Sequence, residues 1–516
     1  MAYLGGPDGW PELADIPRMA RRLIRRAVLA ARADDAPVQR VLREHLGPDA
    51  ASLPVVSGSW QGYDHVNVQA GLNAWLAGWR REHELVGLTG FSPGNFGLAD
   101  LLQPATEHMR PGVGSVAMAA LPCGPGGQTM ACVRCGLYLV GDGDTRLALL
   151  LRGPSDDDPD GNASLEVACA DQAAAQRIVD EVRRHAVARS VFRGQVISFG
   201  DEMLGHGRGI GGRLRFHDRP RLGRDVVVLP PGVIDGIERQ VIGVARHAGR
   251  LLASGQHLKR GVLLHGPPGT GKTHTIRYLL GQLDGVTVVI LSGYALRWIG
   301  EACSVARVLA PSVVVIEDVD LIAEERAPLL GQHPLLFQLL NEMDGLGGDV
   351  DVTFLLTTNR PDLLEAALAA RPGRVDHAAE LPLPDADARR RLIELYRGSL
   401  VLDLSDPDEV ITRTDGVTAA FLKELLRLAA LLAAGAEPAH EGNGGGAPIR
   451  VTDAHLTAAL DQLLDARGRL TRTLLGGRGT AGQDAVIRPM GADAVIRRSE
   501  ALILHPRKKP SRAQPT

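Results

Sequence analysis

The stretch GVLLHGPPGTGKTHTIRYLL, Gly261 to Leu280, constrains the fold more tightly than any other part of the chain. A short apolar strand runs into a loop holding Gly266, Gly269 and Gly271, and a helical pattern follows, in the strand, loop, helix order that G-x-x-x-x-G-K-T requires. Glycines let backbone N–H groups turn inward around phosphates, and the helix N-terminus adds partial positive charge. Gly266, Pro267, Pro268, Gly269, Thr270, Gly271, Lys272 and Thr273 are therefore the expected ATP-binding residues. Lys272 would neutralise the β and γ phosphates, and the Thr273 hydroxyl would reach Mg²⁺. Lysine is scarce, with only Lys259, Lys272, Lys423, Lys508 and Lys509 in 516 residues, so its presence here is not a compositional accident.

A second run, VVVIEDVD, Val313 to Asp320, reads as a buried strand ending in two carboxylates. In a parallel sheet its end lies beside the phosphate loop, at the carboxyl edge where such folds bind ligands. By position Glu317 is the metal carboxylate, and Asp318 the group that orients or deprotonates the attacking water. The usual order is Asp then Glu. Reversal moves each carboxylate by roughly 1.5 Å on a fixed backbone, and a displacement of about 1 Å can cost on the order of a hundredfold in rate. Total reach and charge are unchanged, so slow hydrolysis is the expectation.

A chain this long exceeds one hydrophobic core, and two or more domains are expected. A formal net charge of -3 with 23% charged residues gives no global field that argues for nucleic acid or membrane. Five Cys make no disulfide framework, and neither a secretory segment nor a spanning apolar run is read, so a cytoplasmic location is the default. Residues 1–204 read as an α+β module. Within it residues 12 to 46 look helical, QAGLNAWLAGWRREHEL is helix-like, and MACVRCGLYLVGDGDTRLALLLRG reads as two strands joined at Gly141, Asp142 and Gly143. Residues 205–224, rich in Gly and Arg, read as a linker, 225–384 as the α/β core, 385–475 as a helical lid, and 476–516 as a flexible basic tail. Cys132 and Cys135, three apart on a strand, face opposite sides and suit packing better than zinc.

From Asp225 to about Leu475 the chain resembles the AAA branch of the AAA+ ATPases. The resemblance rests on GPPGTGKT, on VVVIEDVD, on LLFQLLNEMDGL from Leu335 to Leu346, and on TTNRPDLLEAALAARPGRVDH from Thr357 to His377. It implies an α/β fold in which a P-loop NTPase parallel sheet is flanked by helices, with a C-terminal helical lid. The Glu-Asp order resembles a branch that contains the mitochondrial translocase for a Rieske protein. The resemblance makes Asn359 the polar sensor, and Arg371 and Arg374 arginine fingers that reach the ATP of the next subunit in a homohexamer. In comparable enzymes such a cation is worth roughly 10³ to 10⁵ in rate. It further implies a protein client, ATP and Mg²⁺ as cofactors, and a lid in which Ala419 and Ala420 fill the usual small pair. Trp298, Ile299 and Gly300 stand where many members show a pore loop, yet ALRWIGEACSVARVLA also fits one packed helix. Both readings stay open, and so does the alternative function, a nucleotide-dependent binding switch with little hydrolysis.

Overall fold

The computed structural model describes residues 36–78, 81–90, 96–103, 111–154, 161–200, 214–324, 334–345, 350–364, 374–436 and 448–464. The expected flexible tail, most of the first amphipathic stretch and Arg371 lie outside these residues. No described helix is long and apolar enough to cross a membrane.

The N-terminal module is an antiparallel sheet with helices. Its strands are β1 (Val55–Trp60), β2 (Arg81–Thr89), β3 (Gly112–Gly114), β4 (Ala117–Pro122), β5 (Thr129–Asp142), β6 (Thr145–Arg152) and β7 (Ala163–Ala168), ordered β1-β7-β6-β5-β2-β3, with β4 also paired to β5. The β5–β6 hairpin turns at Gly143, whose φ of 62 a side-chain-bearing residue rarely adopts. Helix α1 (Pro37–Leu46) covers one face of the sheet, and the other carries α2 (His65–Leu76) and α3 (Gln172–Ala188), packed with β5, β6 and β7. The single helix expected over QAGLNAWLAGWRREHEL stops at Leu76, and from Arg81 the chain is strand β2. The arginine, glutamates and His83 of that segment sit on a strand that is mostly solvent-facing, a pattern helical spacing mimics. Cys132 and Cys135 pack with different core clusters, but the register with β4 shifts between Val133 and Cys135, so the simple alternation expected of a strand does not hold between them.

The second sheet holds the motor. Its strands are β8 (Val196–Phe199), β9 (Leu214–His217), β10 (Arg260–His265), β11 (Thr287–Leu291), β12 (Ser312–Ile316), β13 (Val352–Thr358) and β14 (His377–Glu380), in the order β14-β10-β13-β12-β11-β8-β9. All pairs but β8–β9 are parallel, and β10 to β13 are buried along almost their whole length, which is why they read as unbroken apolar runs. Against this sheet pack α4 (Lys272–Gly281), α5 (Ile299–Val308), α6 (Asp320–Glu324) and α7 (Pro334–Asp344). The lid follows as α8 (Ala386–Arg397), α9 (Pro407–Arg413), α10 (Ala419–Ala436) and α11 (Asp453–Leu464), closed around Phe421, Leu422 and Leu425.

The domain boundary differs from the expectation. The sheet begins at Val196, inside the stretch assigned to the N-terminal module, and residues 214–217 of the expected linker form β9. Val196 pairs with Val288 and Ser198 with Ile290, so the module is joined to the motor by backbone hydrogen bonds. An aromatic contact reinforces the joint. Phe199, 4% exposed, meets Tyr63 edge-on at 5.6 Å and stacks on Trp298 at 6.4 Å, and Leu121 and Cys132 of the module share the motor's core cluster. Phe199→Ala is expected to cost roughly 3–5 kcal/mol and to split a single urea transition into two, as module and motor come apart. A single transition shifted by less than about 1 kcal/mol would contradict this joint.

Candidate functional site

The phosphate loop leaves β10 at His265, and α4 begins at Lys272, so the loop lies at the carboxyl edge of the parallel sheet. Two glycines are required by close approach as well as by φ. A Cβ on Gly266 (φ 144) would lie 2.3 Å from the Leu381 carbonyl oxygen, and one on Gly269 (φ 81) 2.9 Å from Thr418 Oγ1 of the lid. The lid is tied to the loop directly, because the Ala420 N–H donates to the Gly269 carbonyl at 3.1 Å. Lys272 is buried, and its Nζ donates to the carbonyls of Gly266 (2.8 Å) and Pro267 (2.9 Å). Burial lowers the Lys272 pKa, while the carboxylates of Asp318 and Asp320 oppose that shift. Thr270 is buried and donates to the Pro267 carbonyl, which leaves Thr273, exposed on the first turn of α4, as the hydroxyl free for a cation.

Beside the loop, β13 and β12 deliver the polar groups. Glu317 follows the last residue of β12, and its N–H donates to the Leu291 carbonyl at 3.0 Å. Asp318 is the one described non-glycine residue with positive φ, at 52. Its N–H donates to Thr357 Oγ1 at 2.9 Å, and its Oδ1 accepts from Asn359 Nδ2 at 3.2 Å. Such a backbone stores roughly 1–3 kcal/mol in a non-glycine residue, and Asp tolerates it better than a longer side chain. The reversed order therefore suits the local backbone: the shorter carboxylate stands where the chain turns left-handed. Asp318→Glu is expected to lower stability by about 1 kcal/mol in urea unfolding, with Asp318→Asn losing less; equal losses would contradict a conformational origin.

Sequence reasoning gave no role to Asp320, Thr357 or Thr358. Asp320 is buried, and its Oδ1 accepts from Thr358 Oγ1 at 2.8 Å and from the Asn359 N–H at 3.2 Å. It holds the backbone that aims Asn359 at Asp318. The signal was present in VVVIEDVD, where a third acid at the head of α6 sits two residues beyond the pair.

Arg374 departs from its expected role. It is 4% exposed, ion-paired to Asp344 of its own chain, and its Nη1 is buried without a partner among the described residues. Its carbonyl packs on Gly261, at the start of β10, where a Cβ would come within 2.1 Å. That is the opposite end of β10 from the loop, about 16 Å along the strand at 3.3 Å per residue. Arg374 thus serves no phosphate in its own subunit and is not a projecting finger as placed. Trp298 and Ile299 also find other work, since Trp298 ends a 3₁₀ turn against Phe199 and Ile299 opens α5 fully buried. Leu296, Ile299, Cys303 and Ala306 are all buried, as a packed segment requires, but it is not one continuous helix, because a 3₁₀ turn runs through Trp298 and the α-helix begins at Ile299.

Glycine loop, buried lysine, adjacent acids and a strand-end asparagine on one edge of a parallel sheet define a P-loop nucleoside triphosphatase. Residues 262–383 match the model of the ATPase family associated with various cellular activities (AAA), which makes this segment a P-loop domain of AAA type. The ATP-dependent zinc metalloprotease FtsH 3 of Synechocystis sp. is 36% identical over 224 residues, covering 39% of this chain and 36% of that protein. The human ATPase family gene 2 protein homolog A is 35% identical over 240 residues, covering 42% and 27%. The chain thus spans about a third of the length of these curated relatives. A solved chain from work on katanin self-assembly covers 50% of this chain and 89% of its own length at 24% identity, with a TM-score of 0.39.

Proposed function

We propose that this chain hydrolyses ATP and works as a ring-forming remodeller of protein substrates, a homohexamer in which residues 36–200 select the client. The observation that carries hydrolysis is the Asp318–Asn359 hydrogen bond, which presents a carboxylate and a polar amide together at the edge where Lys272 emerges. The residues fit ATP with Mg²⁺: Gly266 to Lys272 would hold the phosphates, and Thr273 with Glu317 the cation. The ion, when bound, supplies electrostatic stabilisation of the transferring phosphoryl group. Asp318 then accepts a proton from the attacking water, and Asn359 keeps its carboxylate pointed. Contact between subunits falls to Arg371, because Arg374 is taken up by Asp344.

A second reading has a specific observation in its favour. With Trp298 stacked on Phe199, the aromatic expected to grip a threaded chain is committed to the module–motor joint. That arrangement suits a nucleotide-dependent switch, in which the bound state is reported to the module and little ATP is consumed. Steady-state phosphate release with size measurement on the same sample separates the two. The remodeller gives turnover that rises with assembly, and Lys272→Ala removes both ATP binding and turnover. A monomer at micromolar concentrations and above in Mg²⁺ and ATP, with no turnover beyond that of Lys272→Ala, would leave only the switch.

A further inference from the structure

Between the module and the motor lies a cavity of about 300 Å³ that the hydrolytic site does not use. Trp60, Tyr63, Asp64 and Phe192 line it from the module side, and Ser304 and Val305 of α5 from the motor side. Among the described residues Asp64 is its single carboxylate, and none of those that line it is Lys, Arg or His.

The carboxylate is unusually placed. Asp64 stands at the N-cap of α2 but its side chain makes no cap hydrogen bond. One oxygen, Oδ1, accepts from Asn67 Nδ2 at 2.7 Å, and the other has no hydrogen-bond partner or ion pair among the described residues. Burial pushes the Asp64 carboxyl up to about 6, against the Asn67 hydrogen bond, which lowers it. Arg183 lies 5.1 Å from the Trp60 ring without pairing with Asp64. A half-satisfied carboxylate among aromatic rings is the chemistry that takes a small organic cation, through charge pairing and ring faces together. Pockets at domain interfaces with convergent polar groups are a common setting for ligands.

We propose that this cavity binds an alkylammonium or guanidinium group against Asp64 and thereby regulates the motor through the module joint. The connections run both ways. Asn67 Oδ1 accepts from the Val191 N–H at 2.8 Å, and the chain continues from there into β8 of the motor sheet. On the other wall, α5 packs on β11 and β12, and the acidic pair follows the end of β12. A ligand that draws Asp64, Asn67 and α5 together bears on both the sheet edge and the strand that positions Asp318.

The test uses the full chain without nucleotide, so it stands apart from whether ATP is hydrolysed. Calorimetry and thermal melts are run with n-butylammonium and propylguanidinium, with n-butanol as the uncharged control. Wild type is expected to bind both cations saturably at about millimolar affinity, as befits ligands of a few heavy atoms, and to ignore butanol. Asp64→Asn should weaken binding roughly tenfold or more. That variant should fold, because removing a carboxyl raised by burial removes a penalty that is present above about pH 6 and absent below about pH 4. Its melting point should therefore exceed wild type at pH 7.5, and the excess should shrink as pH falls through about 6 and vanish below about pH 4. Ser304→Trp, which fills the opposite wall, should abolish binding as well. A peptide with one internal lysine that binds tighter than either free cation would support the site and assign its ligand to a protein side chain; weaker binding would support a free amine or guanidine. No saturable binding, or equal binding by wild type, Asp64→Asn and Ser304→Trp, would overturn the proposal.

Discussion

The parallel register of β10, β13 and β12 is the constraint on which the rest of this molecule depends. His265 pairs with Thr358 and Ile316 with Leu356, so three strands end within a residue or two of one another. That common edge delivers the phosphate loop, the acidic pair and Asn359 to one place, although about 40 to 90 residues separate them in sequence. Burial of these strands on both faces fixes the register, because a slip of one residue would move every side chain from its own core cluster into the one on the opposite face. Within the edge, hydrogen bonds donated by Thr358 and Asn359 to the carboxylates of Asp320 and Asp318 replace water that these acids would otherwise keep, and the Asp318 N–H donates to Thr357 Oγ1.

The same sheet accounts for how the module and motor are joined. Two extra strands on the far side of β11 make the N-terminal module an extension of the motor rather than a tethered neighbour. Stacking of Phe199 on Trp298 places the joint against the segment that leads from β11 into α5. A movement at the acidic edge thus has a short, packed route to the module. The cavity at Asp64 lies on that route.

What could be read from the sequence follows from how local each cause is. The phosphate loop is encoded in eight consecutive residues, each with its own physical reason, and the strand before it and the helix after it are equally local. The β5–β6 hairpin at Gly143 was legible for the same reason. Strands β8 and β9 were not, since each is four residues long and Val196 finds its partner some ninety residues later. Nothing in the Gly and Arg composition of residues 205–224 announces a strand that forms only against β8. The burial of Arg374 depends on Asp344, thirty positions earlier, and the fate of Trp298 depends on Phe199. These are tertiary choices, and they override motif position.

The reversed acidic pair is where local backbone and chemistry meet. A left-handed φ at residue 318 favours the shorter acid, and Asn359 and Thr357 hold that acid in place. Chemistry at Asp318 and binding at the neighbouring loop are therefore separable. The most direct measurement is ATP affinity and phosphate release for Asp318→Asn beside Glu317→Gln. With Asp318 at the water, Asp318→Asn should keep ATP affinity within about threefold while turnover falls roughly 10² to 10⁴-fold. Wild-type turnover in Asp318→Asn, with loss confined to Glu317→Gln, would contradict it.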